Sequence, residues 1–397
     1  MNRIRILSLD GGGSHAGMHA RTLGALFGPD TPGRDIIRQF DFVAGNSGGS
    51  IVFTALCCNY TPGDIAAFYN DPATLRRMFS PKWIAGIPLL RDVLPRYSSK
   101  GKFEALKWIF DRHRQDGEPP PSTIRLQDWP RYLKSEVNLI VTAFDYDRER
   151  AAFFRSNLAS RAKSSAPAVE ATLVEAVHAS TNAPLRYFDQ PAEVSGRRYW
   201  DGGLGGYDNP VLAAVVEALA NRGAEADDIR VLSIGTRAVA QPLTTEGAAP
   251  PMGQVPDSAS VLSALKKVAT VIFDDPPDAA SFHAHVALRQ PMPPAGGTSS
   301  DGKVVRLCPL LRPVWDSDSG DWKLPGGLSG STFQALLDIE LDAMTERELG
   351  LINKMCDLWI ADEILNQPIR MGERFRCDIG HEKFSEAAAH WKRIAYS

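Results

Sequence analysis

The chain has 397 residues, 44% of them hydrophobic and 23% charged. These are the proportions of an ordinary globular enzyme with enough apolar residues for a sizeable core. Its formal net charge is −3, so no global basic field argues for a nucleic acid polymer as partner. Five cysteines without a C-x-x-C pair point to free thiols in a reducing compartment rather than to a disulfide framework or a zinc site.

The first expected element is a buried strand over Ile4–Leu9. It begins so close to Met1 that a signal peptide has no room, and no apolar run reaches the length of a membrane span. The expectation is a cytoplasmic protein. Asp10 ends the strand, Gly11, Gly12 and Gly13 follow, and Ser14–Phe27 suits a helix. Strand, glycine loop and helix together aim backbone N–H groups at an anion. Phosphate binding, an oxyanion hole and a plain tight turn all fit. The phosphate reading is the weaker, because G-K-[S/T] is missing and position 16 is alanine, which breaks G-x-G-x-x-G.

Phe40, Phe42 and Val43 read as a second strand, broken at Gly45-Asn46-Ser47-Gly48-Gly49, with a helix continuing from Ser50 to about Asn59. A serine with a glycine two residues to either side, at a strand-to-helix turn, is the pattern of an exposed nucleophile. A polar turn with an incidental serine gives the same five letters. Thr61-Pro62 starts a short helix through Tyr69. Trp83–Leu90 and Val93-Leu94 form an irregular apolar stretch, read as core packing ahead of a lid or a membrane-touching segment. Phe103–His113 is helical, Val137–Phe144 a buried strand, and Ala152–Phe154 a further strand.

A helix over Val169–Ala179 runs into Ser180-Thr181-Asn182-Ala183-Pro184. Then Arg198-Tyr-Trp ends at Asp201-Gly202-Gly203, which places a carboxylate at a strand end, where open α/β sheets carry their functional groups. Asn209-Pro210 starts a helix over Val211–Ala220, and Ile229–Ile234 is a last clear strand. Residues 237–258 read as a flexible loop, Val261–Phe273 as a helix, and Phe333–Ile364 as a long helical region broken near Gly350. His283 and His285 form an H-x-H pair without a matching ligand set, so they read as structural or surface residues and no metal is expected.

Alternating strands and helices predict a three-layer α/β/α sandwich with a mainly parallel central sheet. Within it, a glycine loop, an elbow serine and a strand-end aspartate supply an oxyanion hole, a nucleophile and a base. Leu7–Gly13, Gly45–Gly49, Ala179–Pro184, Asp201–Gly203 and Leu232–Thr236 together resemble the patatin-like phospholipase family, in that family's order, over roughly residues 4–240. The resemblance implies a lipid acyl hydrolase with Ser47 as nucleophile, Asp201 as base and Gly11, Gly12 and Gly13 along the oxyanion loop. Gly45 and Gly49 would flank the elbow and Gly202 and Gly203 would follow the base, with membrane phospholipid as substrate and no cofactor.

One departure stands out. The family's glycine loop usually continues with any residue, then arginine, then glycine, whereas this chain has Ser14, His15 and Ala16. Histidine would replace the arginine's charge partly and in a pH-dependent way. Two other readings compete: a Ser-His-Asp α/β-hydrolase using His283 or His285, and a non-catalytic scaffold that binds lipid or a partner. Residues 1–240 are expected to form the catalytic core, and 241–397 a mostly helical elaboration serving as lid, oligomerisation surface or regulator. Some bacterial members are antiviral effectors switched on by cyclic nucleotides, which suggests a cyclic nucleotide as activator, a homo-oligomer as assembly and the inner membrane surface as place of action.

Overall fold

A computed structural model describes residues 3–82, 94–157, 170–244, 253–254 and 277–396. The expected helix over 261–273 and the apolar stretch 83–93 lie outside the described residues, as does the start of the helix expected from Val169.

One eight-stranded sheet organises the chain. Its strands are β1 (Ile4–Leu9), β2 (Phe42–Gly45), β3 (Asn138–Asp145), β4 (Arg150–Arg155), β5 (Ala192–Val194), β6 (Arg197–Asp201), β7 (Ile229–Ile234) and β8 (Val304–Leu307). The order is β8-β7-β1-β2-β3-β6-β5, with β4 also paired to β3. From β8 to β3 all neighbours run parallel, and β4, β5 and β6 pair antiparallel at the far side. The strand from the chain's last third, β8, therefore forms the opposite edge of this sheet.

The strands alternate between two cores, as residues on a pleated ribbon must when both faces are covered. Leu7, Leu9, Val43, Leu139 and Val141 enter one apolar cluster. Ile6, Phe42, Ala44 and Ile140 enter the other, with Val211, Ala214 and Val215 packed over them. Helices cover both faces, which makes the α/β/α sandwich expected from the sequence. On the first face lie α1 (Gly17–Phe27), α2 (Ser47–Cys57), α3 (Pro62–Tyr69), α4 (Ser99–Asp111) and α5 (Leu173–Ser180), and on the second α6 (Val211–Val216). All five cysteines are free and buried. No described helix is long and apolar enough to cross a membrane.

Local chemistry fixes several boundaries. Helix α3 starts where Thr61 and Asp64 satisfy each other's backbone N–H groups in a capping box, with Pro62 in the first turn. The late helical region is broken over residues 339–345, not at Gly350. It divides into α7 (Gly330–Asp338) and α8 (Glu346–Ile360), because Thr345 and Glu348 build a second capping box that restarts the helix. Gly350 sits inside α8, where no neighbour would meet an added Cβ. Helix α2 begins at Ser47 itself rather than at Ser50.

Candidate active site

Strand β2 ends at Gly45, Asn46 is extended, and Ser47 opens α2 with φ at +45°. A side chain in that region costs about 1–3 kcal/mol and persists only where the surroundings over-determine it. Those surroundings are close. The Ser47 N–H donates to Ser180 Oγ at 2.9 Å, and Ser50 Oγ donates back to the Ser47 carbonyl at 2.6 Å. A Cβ on Gly48 would stand 2.6 Å from that of Ala16 and 2.9 Å from the Gly13 carbonyl, and one on Gly49 would collide with the carbonyls of Leu9 and Asp10. The elbow glycines let α2 start directly against the glycine loop.

Asp201 closes β6 and is buried. Its Oδ1 accepts from the Gly203 N–H at 2.8 Å and from Asn46 Nδ2 at 3.0 Å. Its own N–H donates to the Asn182 carbonyl at 3.1 Å, and the Ser47 hydroxyl lies near enough to pull the pKa of its carboxyl group down. Burial raises the Asp201 pKa above the usual carboxylate range, while the bond from Gly203, the Ser47 hydroxyl, the bond from Asn46 and the charge of Lys102 pull the other way. Gly202 and Gly203 begin the short 3₁₀ turn after the strand.

The glycine loop is held from several sides. Gly11 N–H donates to the Asp208 carbonyl at 2.9 Å, Thr236 Oγ1 donates to the Gly11 carbonyl at 3.1 Å, and Ser14 N–H donates to the Leu341 carbonyl at 2.7 Å. Gly12 and Gly13 have φ values of +138° and +56°, conformations that favour glycine. Their N–H groups find no acceptor among the described residues. Gly13, Ser47 and Asp201 line one cleft, whose walls include Ile51, Met78, Phe79, Phe188 and Leu341. Burial pulls His15 down to about 3, with Arg237 adding to the effect. His15 is therefore a neutral core residue and supplies no pH-dependent charge.

Several groups at this site were not singled out in the sequence. Asn46 is its hub: Nδ2 donates to Asp201 and, at 3.2 Å, to Asp208, and Oδ1 accepts from Thr142 at 2.8 Å and Ser180 at 3.3 Å. Asn46, Ser180 and Asn182 all stand inside the quoted motifs, so a signal existed. Lys102, on α4, carried none. It is buried, its Nζ donates to the His178 carbonyl at 3.0 Å and Thr181 Oγ1 at 2.9 Å, and it lines the cleft. Burial, then the charges of Asp10 and Asp201, pushes Asp208 well above the carboxylate range.

His283 and His285 stand apart. His285 contacts the Pro291 carbonyl at 3.4 Å, and the described cleft lining contains no histidine. Among the described residues no three His, Cys, Asp or Glu side chains gather as a metal site would require.

These elements define an α/β protein with a strained serine at a strand-to-helix turn and a buried carboxylate and a glycine loop lining the same cleft. Over residues 7–215, more than half of the chain, the sequence matches the patatin-like phospholipase family. The chain belongs to that family and is a lipid acyl hydrolase. Among solved structures it is similar to VipD from Legionella pneumophila, with 11% identity, 99% of this chain and 75% of that chain covered and a TM-score of 0.41. It is also similar to ExoU from Pseudomonas aeruginosa, seen in complex with SpcU, with 13% identity and a TM-score of 0.30. That likeness covers 72% of this chain and 53% of the other. No curated protein matches the sequence.

Proposed function

We propose that Ser47 and Asp201 are the catalytic dyad by which this chain cleaves fatty-acyl esters of phospholipids. What carries the proposal is that Ser47, at a strained elbow, and the buried Asp201 line one apolar cleft together with Gly13, while the N–H groups of Gly12 and Gly13 find no acceptor among the described residues. Asp201 takes the proton as Ser47 Oγ attacks the ester carbonyl. The N–H groups of Gly12 and Gly13 stabilise the oxyanion, with the N-terminus of α2 adding its dipole. Collapse breaks the ester bond and the departing alkoxide takes the proton from Asp201. Water then attacks the acyl-enzyme and gives a proton to Asp201. As the bond from the acyl carbon to Ser47 Oγ breaks, Asp201 returns that proton to Ser47 and the fatty acid leaves. Burial makes Asp201 a stronger base than an exposed carboxylate, which the first step requires.

Residues 1–240 act as catalytic core and 241–397 as an elaboration on it that reaches the glycine loop through Leu341 and the sheet through β8. The enzyme works at the inner membrane surface of a cytoplasm, assembles with further copies of itself and is switched on by a cyclic nucleotide in antiviral defence. What supports a switch is that an uncontrolled phospholipase would attack its own cell's membrane.

The test is fatty-acid release from mixed phospholipid vesicles by wild type and Ser47→Ala, with and without a panel of cyclic di- and trinucleotides. The dyad predicts release that Ser47→Ala abolishes. Release only with a nucleotide supports the switch, release without one removes it, and no release under any condition brings the scaffold reading forward.

A further inference from the structure

Strand β8 lies outside the matched stretch 7–215, yet it sends one side chain to the glycine loop. Arg306 is 5% exposed, and its guanidinium reaches past β7 to the carboxylate of Asp10, the residue before Gly11. Nη1 donates to Oδ1 at 2.9 Å and Nη2 to Oδ2 at 2.5 Å, a two-pronged pair, while Nη1 also donates to Ser233 Oγ at 2.8 Å. The passage is open only because residue 235 is glycine. A Cβ there would stand 2.6 Å from Nη2 and 2.6 Å from Cys308 Sγ.

This assigns work to the Leu232–Thr236 motif, which the dyad alone leaves unused. Ser233 receives the arginine, Gly235 makes room for it, and Thr236 Oγ1 holds the Gly11 carbonyl. A buried ion pair is weak evidence for stability, because taking both charges from water offsets most of their attraction. What a planar fork on a carboxylate supplies is orientation. The loop needs it: three consecutive glycines have wide conformational freedom, and a displacement of about 1 Å at a site of this kind costs about 100-fold in rate.

We infer that Arg306 is a positioning residue for ester hydrolysis: by gripping Asp10 beneath the glycine loop, it aims the Gly12 and Gly13 N–H groups at the oxyanion. The inference rests on the Ser47–Asp201 reading. It concerns kcat rather than substrate binding, because the oxyanion exists only in the transition state.

The test uses the full chain with p-nitrophenyl butyrate as soluble ester and a trifluoromethyl ketone that forms a tetrahedral adduct on serine. Arg306→Lys keeps the charge and loses the fork. Arg306→Met combined with Asp10→Asn removes both charges, leaving no orphaned carboxylate. Ser233→Ala removes one anchor and keeps the pair, which preserves the test should the others fail to fold. Thermal melts identify the folded variants. In those with Arg306 changed, kcat falls about 10- to 100-fold with KM within about two-fold, and ketone affinity weakens in step. Ser233→Ala shows a smaller loss of the same pattern. Folded variants with wild-type kcat, or with the whole loss in KM, overturn the inference. Wild type and Ser47→Ala behaving alike in the same assay would instead overturn the dyad.

Discussion

The two halves of the glycine loop's surroundings are built differently. On one side stand β1, β2 and α2, all within Ile4–Cys57, whose elbow follows from a few glycines and one strained serine. On the other stand Asp208, Thr236, Arg306 and Leu341, contributed by separate segments more than a hundred residues downstream. In the proposed mechanism the near side supplies the reacting hydroxyl. The far side supplies the frame that holds the anion-binding loop against it. A candidate nucleophile can thus be encoded locally, while the proposed base and the precision of the site depend on side chains from much of the chain.

Breaking the proposed dyad should have the largest effect. Ser47→Ala and Asp201→Asn each lower fatty-acid release by about 10⁴-fold or more, with melts close to wild type, because the nucleophile and its base act as one unit. Asn46→Ala comes next. It removes a donor to Asp201 and leaves Thr142 and Ser180 without their shared acceptor. A kcat loss of about 100-fold is expected, together with a lower melting temperature. A variant with unchanged kcat would show that Asn46 only fills space.

A third prediction concerns the electrostatics of the cleft. Asp201 works as a base only when ionised, and its raised pKa places the acid limb of kcat/KM above the usual carboxylate range. Asp208 faces it across Asn46, and Lys102 in its charged form lowers the Asp201 pKa, although burial pulls the Lys102 pKa itself well below the usual lysine range. Replacing Lys102 with methionine removes that cation, favours the protonated acid and moves the acid limb to higher pH. Lys102→Arg leaves the limb near its wild-type position. A limb unmoved in Lys102→Met would mean that Lys102 serves packing alone. The smallest effect is expected far from the cleft: Thr345→Ala breaks the capping box of α8 and costs about 1 kcal/mol of stability by thermal melt, with kcat unchanged.

How much was legible in the sequence follows the same division. The strands over 4–9, 137–144 and 229–234 announced themselves as short apolar runs bounded by turn residues. Gly11–Gly13 and Ser47 follow the ends of parallel strands, where open α/β sheets gather functional groups, whereas Asp201 ends β6, which pairs antiparallel. The break at 339–345 was misread at Gly350, because a glycine is a louder signal than the Thr345–Glu348 capping box that sets the boundary. Strand β8 and the role of Arg306 were invisible. Val304–Leu307 is only four residues long, and nothing local tells that its arginine will cross a neighbouring strand to reach Asp10. The same holds for Lys102 on α4, whose meaning depends on what folds against it. His15 illustrates the converse: in sequence it was a titratable substitute for an arginine, and burial makes it a neutral core residue.

The most direct test of the central claim is intact-mass and peptide-mass analysis of the enzyme quenched in acid during turnover of p-nitrophenyl butyrate. The dyad predicts one butyryl group per chain, on the peptide carrying Ser47 and absent from Ser47→Ala. Turnover with no adduct on that peptide, at a rate that Ser47→Ala leaves unchanged, would contradict it.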